Sequence, residues 1–224
     1  YGNKVDHNHD SFTDVTLQDR ISVFQKWNFT RKENRLFSLA GRFLYEDRWG
    51  GEMNWTKANR GGDDVYGESI YTKRAELIGS YQLPFEEKLM LSFSGNVHYQ
   101  DSRYGTTSYI ANQKIGFLQL TWDKKIGRND LLAGIANRYS YYDDNTPATK
   151  EAESTWLPGV FVQDEITFSP KSQVLLGARY DYNSIHGSIF TPRLAYRFKA
   201  NENTIFRLNA GTGFRVVNLF TEDH

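Results

Sequence analysis

QVLLGARYDYN, residues 173–183, alternates with a period of two: Val174, Leu176, Ala178, Tyr180 and Tyr182 fall on one side of an extended chain, and Gln173, Arg179, Asp181 and Asn183 on the other. Successive side chains of a strand point to opposite faces of its sheet, so this stretch predicts a strand with one apolar and one polar face. The next stretch repeats the pattern. In Phe190–Lys199 the apolar set is Phe190, Pro192, Leu194, Tyr196 and Phe198, and the opposing set of Thr191, Arg193, Ala195, Arg197 and Lys199 is cationic. Across Asn203–Arg215, Thr204, Phe206, Leu208, Ala210 and Phe214 oppose Asn203, Arg207, Asn209 and Arg215, with Ile205 out of phase.

Upstream the period recurs in Ile21/Val23/Trp27/Phe29, Phe37/Leu39/Phe43/Tyr45, Ala75/Leu77/Tyr81/Leu83 and Leu89/Leu91/Phe93/Val97/Tyr99, with further candidates near 108–123, 129–142 and 154–168. The reading is all-β: an antiparallel up-and-down sheet of about ten long strands, mostly 10 to 16 residues. Strands of globular proteins have about 5–6 residues. The connections read as a strict alternation. Short turns fall at 31–34, 84–87, 124–128, 170–172 and 200–202, and longer polar loops at 48–67, 101–107, 143–153 and 184–188. Long tilted strands, one trimmed rim and one rim of loops are the organisation of an outer-membrane barrel, with short periplasmic turns and long extracellular loops. In that arrangement Val174, Leu176, Tyr180, Leu194, Tyr196 and Phe198 face lipid, and Arg179, Arg193, Arg197 and Arg207 face a wet lumen.

Composition fits a sheet with one polar face. Tyr, Phe and Trp number 14, 15 and 5 in 224 residues whose hydrophobic share is only 39% and whose mean hydropathy is −0.64. Lys+Arg and Asp+Glu balance at 27 each, so the chain has no electrostatic footprint for nucleic acid. Cysteine is absent, which removes disulfides and zinc-thiolate sites. No apolar run is long enough for a transmembrane helix, and no N-terminal apolar signal segment is seen. There is no Gly-x-Ser-x-Gly, no glycine-rich phosphate loop and no carboxylate pair tied to a base, while His98 and His186 have no evident partner. An enzyme is not expected.

Four ordered motifs give the chain a family resemblance. Phe161-Val-Gln-Asp-Glu165, Gly177-Ala-Arg-Tyr-Asp181, Thr191-Pro-Arg-Leu194 and Gly211-Thr-Gly-Phe-Arg215, followed by VNLF at 217–220, resemble mid-barrel segments of TonB-dependent outer-membrane receptors. The family often has Ala-Pro after Gly-Phe-Arg, where Val216-Val217 stands here. DHNHDSFTDV (6–15), RISVFQKWNF (20–29) and YEDRWGGEM (45–53) look like receptors of the Bacteroidetes type. The resemblance implies a barrel of about 22 strands plugged by a separate domain. Residues 1–224 would be the central part of it, with the plug, the TonB-contacting box and the closing C-terminal strands absent. It further implies binding and import of a scarce nutrient (iron chelate, haem, cobalamin or glycan), with TonB and outer-membrane lipid as partners and no nucleic acid. A passive porin-like or structural barrel, or a soluble calcium-binding β-domain, is the alternative.

Two loops carry candidate chemistry. Asp6, Asn8, Asp10 and Asp14 stand at positions 1, 3, 5 and 9 of a calcium-type loop, although Ser11 and Leu17 replace its glycine and its glutamate. Calcium is therefore a candidate ligand and no cofactor is required; the alternative is an Asx-rich turn. His7 and His9 lack a third fixed ligand for a transition metal. In the 48–67 loop, Arg48, Trp49, Trp55 and Arg60 are side chains of the kind that binding surfaces use, or members of an aromatic girdle.

Overall fold

The computed structural model describes residues 2–215; the VNLF stretch and Val216-Val217 lie outside the described residues. Ten strands follow in sequence: β1 (Leu17–Asn28), β2 (Phe37–Gly51), β3 (Gly67–Gln82), β4 (Lys88–Tyr104), β5 (Thr107–Ile126), β6 (Asn129–Asp144), β7 (Glu153–Ser169), β8 (Ser172–Asn183), β9 (Gly187–Asn201) and β10 (Thr204–Gly211). They form one up-and-down sheet in the order β1 to β10, and their lengths run from 8 residues in β10 to 20 in β5. Among the described residues the only helical pieces are the 3-10 turns Lys32–Asn34 and Lys57–Asn59.

The chain divides into two compact units. One comprises the chain up to Ser80, Ser92–Phe117 and Tyr139–Thr155; the other comprises Tyr81–Leu91, Leu118–Arg138 and the chain from Trp156. In the first, β1 and β2 pair so that Ile21 meets Tyr45, Val23 meets Phe43 and Trp27 meets Leu39 on one face. Gln18/Arg48, Arg20/Glu46 and Phe24/Arg42 meet on the other. Ion pairs hold that second face together: Arg20 to Glu46 at 3.5 Å, and Arg42 and Arg74 to Glu76 at 3.2 and 2.5 Å.

In the second unit the register carries the alternation across four strands. Val160, Tyr180 and Phe190 share a row, then Val162, Ala178 and Pro192, then Leu176, Leu194 and Ala210, then Ile166, Val174, Tyr196 and Leu208. Asp164 alone interrupts this face with a charge, and its carboxylate accepts a hydrogen bond from Asn129 Nδ2. The opposite face reads Gln163/Gly177/Arg193/Gly211, Glu165/Leu175/Ala195/Asn209 and Thr167/Gln173/Arg197/Arg207. Ile205 sits where β10 slips register against β9, at the bulge beside the 202–203 turn, and belongs by parity to the polar face.

The apolar face is bare. Phe190 is 63% exposed, Leu208 64% and Ile21 60%, and the buried apolar residues are mostly small or isolated ones such as Ala40, Ala111 and Ala136. Isolated apolar side chains at a surface are ordinary, but rows of them in register are a surface built for an apolar environment.

The connections do not alternate strictly in length. The 52–66 and 145–152 loops are long, but the expected 101–107 loop shrinks to Gly105-Thr106 and the 184–188 loop to residues 184–186. On the other rim the β1–β2 connection lengthens to 29–36. The polar residues of 101–104 continue the β4–β5 ladder instead of leaving it, because ladder hydrogen bonds satisfy the backbone whatever the side chains are. Gly105 (φ 56°) and Gly127 (φ 61°) supply the left-handed conformation that two-residue hairpins require.

Candidate functional site

Strand register brings Arg179, Arg193, Arg197 and Arg207 onto one face, as their spacing predicts. Their surroundings differ. Arg179 Nε and Nη2 donate to Asp181 Oδ2 and Oδ1 at 2.7 and 2.6 Å, and Asp181 is fully buried. The guanidinium also lies 5.6 Å from the Phe161 ring. Arg179 and Asp181 are two residues apart on a strand and so share a face, a signal that the sequence contained. Arg197 Nη1 donates to Gln173 Oε1 at 3.1 Å. Among the described residues neither Arg193 nor Arg207 has an ion-pair partner. Arg193 stands between Gly177 and Gly211 in the register, and the missing side chains open a 520 Å³ cavity lined also by Gln163, Thr191 and Asn209.

The 52–66 loop is held to the first unit by its own large side chains. Trp55 is 2% exposed and covers Gly67, where a Cβ would collide with the indole. Arg60 donates from Nε to Ser69 Oγ at 2.7 Å and from Nη2 to the Asp101 carbonyl at 2.9 Å, pairs with the Asp101 carboxylate at 3.0 Å, and lies 4.3 Å from the Tyr71 ring. These two anchor the loop and do not join Arg48 and Trp49 in an exposed grip. Arg48 and Trp49 belong to β2 and line a 360 Å³ cavity with Phe12, Asp14, Tyr66 and Glu68.

Two features of this region were not read from the sequence. Tyr66 OH donates to Glu68 Oε1 at 2.9 Å, and that bond holds the phenol above its ordinary pKa. Lys57 Nζ bonds the buried Asp47 carboxylate and lies 4.6 Å from the Trp49 ring; the hydrogen bond to Asp47 raises the lysine pKa. Lys57 sits at a short 3-10 turn that no periodicity announces.

Asp6, Asn8, Asp10 and Asp14 gather in one loop, where their oxygens accept backbone amides. Asp6 accepts from Asp10 N (3.2 Å) and Ser11 N (3.0 Å), Asn8 from Asp10 N (3.2 Å), Asp10 from Phe12 N (2.8 Å) and Asp14 from His7 N (2.6 Å). Among the described residues no three His, Asp or Glu side chains assemble as metal donors.

No curated protein matches the chain. A solved structure that it resembles is the crystal structure of the siderophore receptor PirA from Pseudomonas aeruginosa, at 14% identity and a TM-score of 0.43. The similarity covers 93% of this chain and 47% of that one, so the chain spans about half the length of that receptor. The family model for the TonB dependent receptor-like β-barrel matches residues 1–221. The two-faced strand rows are those of a membrane barrel wall, and the chain belongs to the TonB-dependent receptor β-barrel family.

Proposed function

We propose that this chain is part of the wall of an outer-membrane transporter that binds a scarce nutrient and imports it with energy delivered through TonB. The observation that carries the reading is the pair of faces in the second unit, apolar and bare on one side and rich in arginine on the other, within a chain of this family. The bare rows would lie against outer-membrane lipid, and Arg179, Arg193, Arg197 and Arg207 would look into the lumen. A charged side chain is tolerated there because water reaches it.

Arginines without carboxylate partners raise the local concentration of anions along a passage. For that reason an anionic iron chelate is the cargo favoured over haem, cobalamin or a glycan, with Arg48 and Trp49 as first contacts in their cavity. Catalysis has no part in this reading. DHNHDSFTDV and YEDRWGGEM support a receptor of the Bacteroidetes type.

The test is uptake by the complete receptor in its host, using labelled ferric siderophore, haem, cobalamin and oligosaccharide, with and without TonB. Uptake of one class that stops when TonB is deleted is the expected result. Leakage of many small solutes regardless of TonB would identify a passive pore instead.

A further inference from the structure

Arg197 and Arg207 lie directly opposite one another across β9 and β10, on the polar face of the second unit. Like charges in register destabilise a strand pair, since their side chains share one stretch of surface. The chain meets this situation elsewhere and relieves it. In the β1–β2 register Asp19 lies opposite Asp47, and Lys57 reaches over to bond the Asp47 carboxylate. At Arg197 and Arg207 no carboxylate among the described residues makes the corresponding contact. Gln173 Oε1 accepts from Arg197 Nη1 at 3.1 Å and fixes one guanidinium, while Arg207 stays exposed.

A 150 Å³ cavity is lined by both arginines together with Gln173, Asn209 and Glu165. Each water takes about 30 Å³, so this space holds one small oxyanion and its residual waters. Glu165 leaves the cavity with a net positive charge, and Gln173 and Asn209 carry amide groups that can donate to oxygen.

We infer that Arg197 and Arg207 form a clamp for one oxyanion, a phosphate or a carboxylate group, with Gln173 as the residue that positions Arg197. Two guanidiniums present planar forks of N–H donors, the geometry suited to bidentate binding of such groups. The anion would cancel the repulsion that the register imposes. This inference concerns binding alone and does not depend on transport.

The experiment is calorimetric titration of the intact receptor, in a neutral detergent, with sodium phosphate at an ionic strength held constant by sodium chloride. The wild type is expected to bind phosphate saturably. Arg197→Gln and Arg207→Gln should each weaken binding by about tenfold or more, the scale of a lost charge-assisted hydrogen bond. Lys125→Gln, at an exposed lysine paired with Asp130 and outside the cavity lining, should stay within about twofold, because it removes no group from the clamp. Unchanged heat-modifiable electrophoretic mobility establishes that each variant is folded. Absence of saturable binding in the wild type, as when a carboxylate of the same receptor already fills the clamp, would overturn the assignment to a solute anion. So would equal binding by wild type and Arg207→Gln. A wild-type receptor that binds phosphate saturably but leaks many small solutes regardless of TonB would count against the transport reading and leave the clamp standing.

Discussion

Asp47 is 4% exposed, lies opposite Asp19 and depends on Lys57 for its counter-charge. Lys57→Met keeps an unbranched side chain and removes the charge, both from Asp47 and from the Trp49 ring 4.6 Å away. Removing one partner of a fully buried pair costs ~3–5 kcal/mol, and the half-exposed lysine lowers the expectation here to about 2 kcal/mol. Denaturant unfolding of the variant measures it. The pair also has a pH signature. Because the hydrogen bond to Asp47 raises the Lys57 pKa above 10.5, its contribution is complete below the unfolded value and is lost as pH rises through the folded one. Lys57→Met should therefore flatten stability against pH in the alkaline range. In the 6–14 loop, five amide hydrogen bonds to Asp6, Asn8, Asp10 and Asp14 tie the turn together. Millimolar calcium is expected to leave the melting temperature unchanged, and a calcium-dependent rise would make this loop a calcium site.

On the scale of the strand, the alternation is an energetic statement. Leu194 belongs to the bare apolar rows and Ala195 to the polar face. A lipid-facing arginine near the bilayer midplane costs ~2–4 kcal/mol, so Leu194→Arg should lose about that much in bilayer refolding equilibria and Ala195→Arg less than about 1 kcal/mol. Equal losses would mean that the two faces see the same medium. Arg179→Gln tests a different contact, since it leaves the fully buried Asp181 without its bidentate partner. An uncompensated buried charge of this kind costs about 3 kcal/mol or more. These faces were legible in the sequence because a period of two is a local property, and register then only aligns rows that already exist. Loop anchoring was not legible. Trp55 is buried because Gly67 leaves room for its ring, and Arg60 is held by Ser69 and Asp101, partners 9 and 41 residues away. The 101–107 stretch misled for another reason: a run of polar residues reads as a loop, although the backbone of 101–104 stays in β4.

For the whole molecule, the informative feature is how few large apolar side chains are buried among the described residues. Rows such as Val160/Tyr180/Phe190 and Ile166/Val174/Tyr196/Leu208 remain bare, and a chain with this surface should associate or precipitate when detergent is withdrawn. Analytical ultracentrifugation across the detergent's micelle threshold checks this; a stable monomer below the threshold would favour the soluble alternative. In the proposed barrel wall, outer-membrane lipid would supply the environment that these rows require, and the four arginines share the opposite face.

The most direct test is single-cysteine scanning, for which residues 1–224 contain no native cysteine to remove. Cysteines placed one at a time through 190–198 of the full receptor in intact outer membranes would be assayed with a water-soluble maleimide and, separately, for a fluorophore's quenching by brominated lipid. The account predicts water accessibility at Thr191, Arg193, Ala195 and Arg197, and lipid quenching at Phe190, Leu194, Tyr196 and Phe198. Uniform labelling by maleimide along the strand, or quenching at the arginine positions, would contradict it.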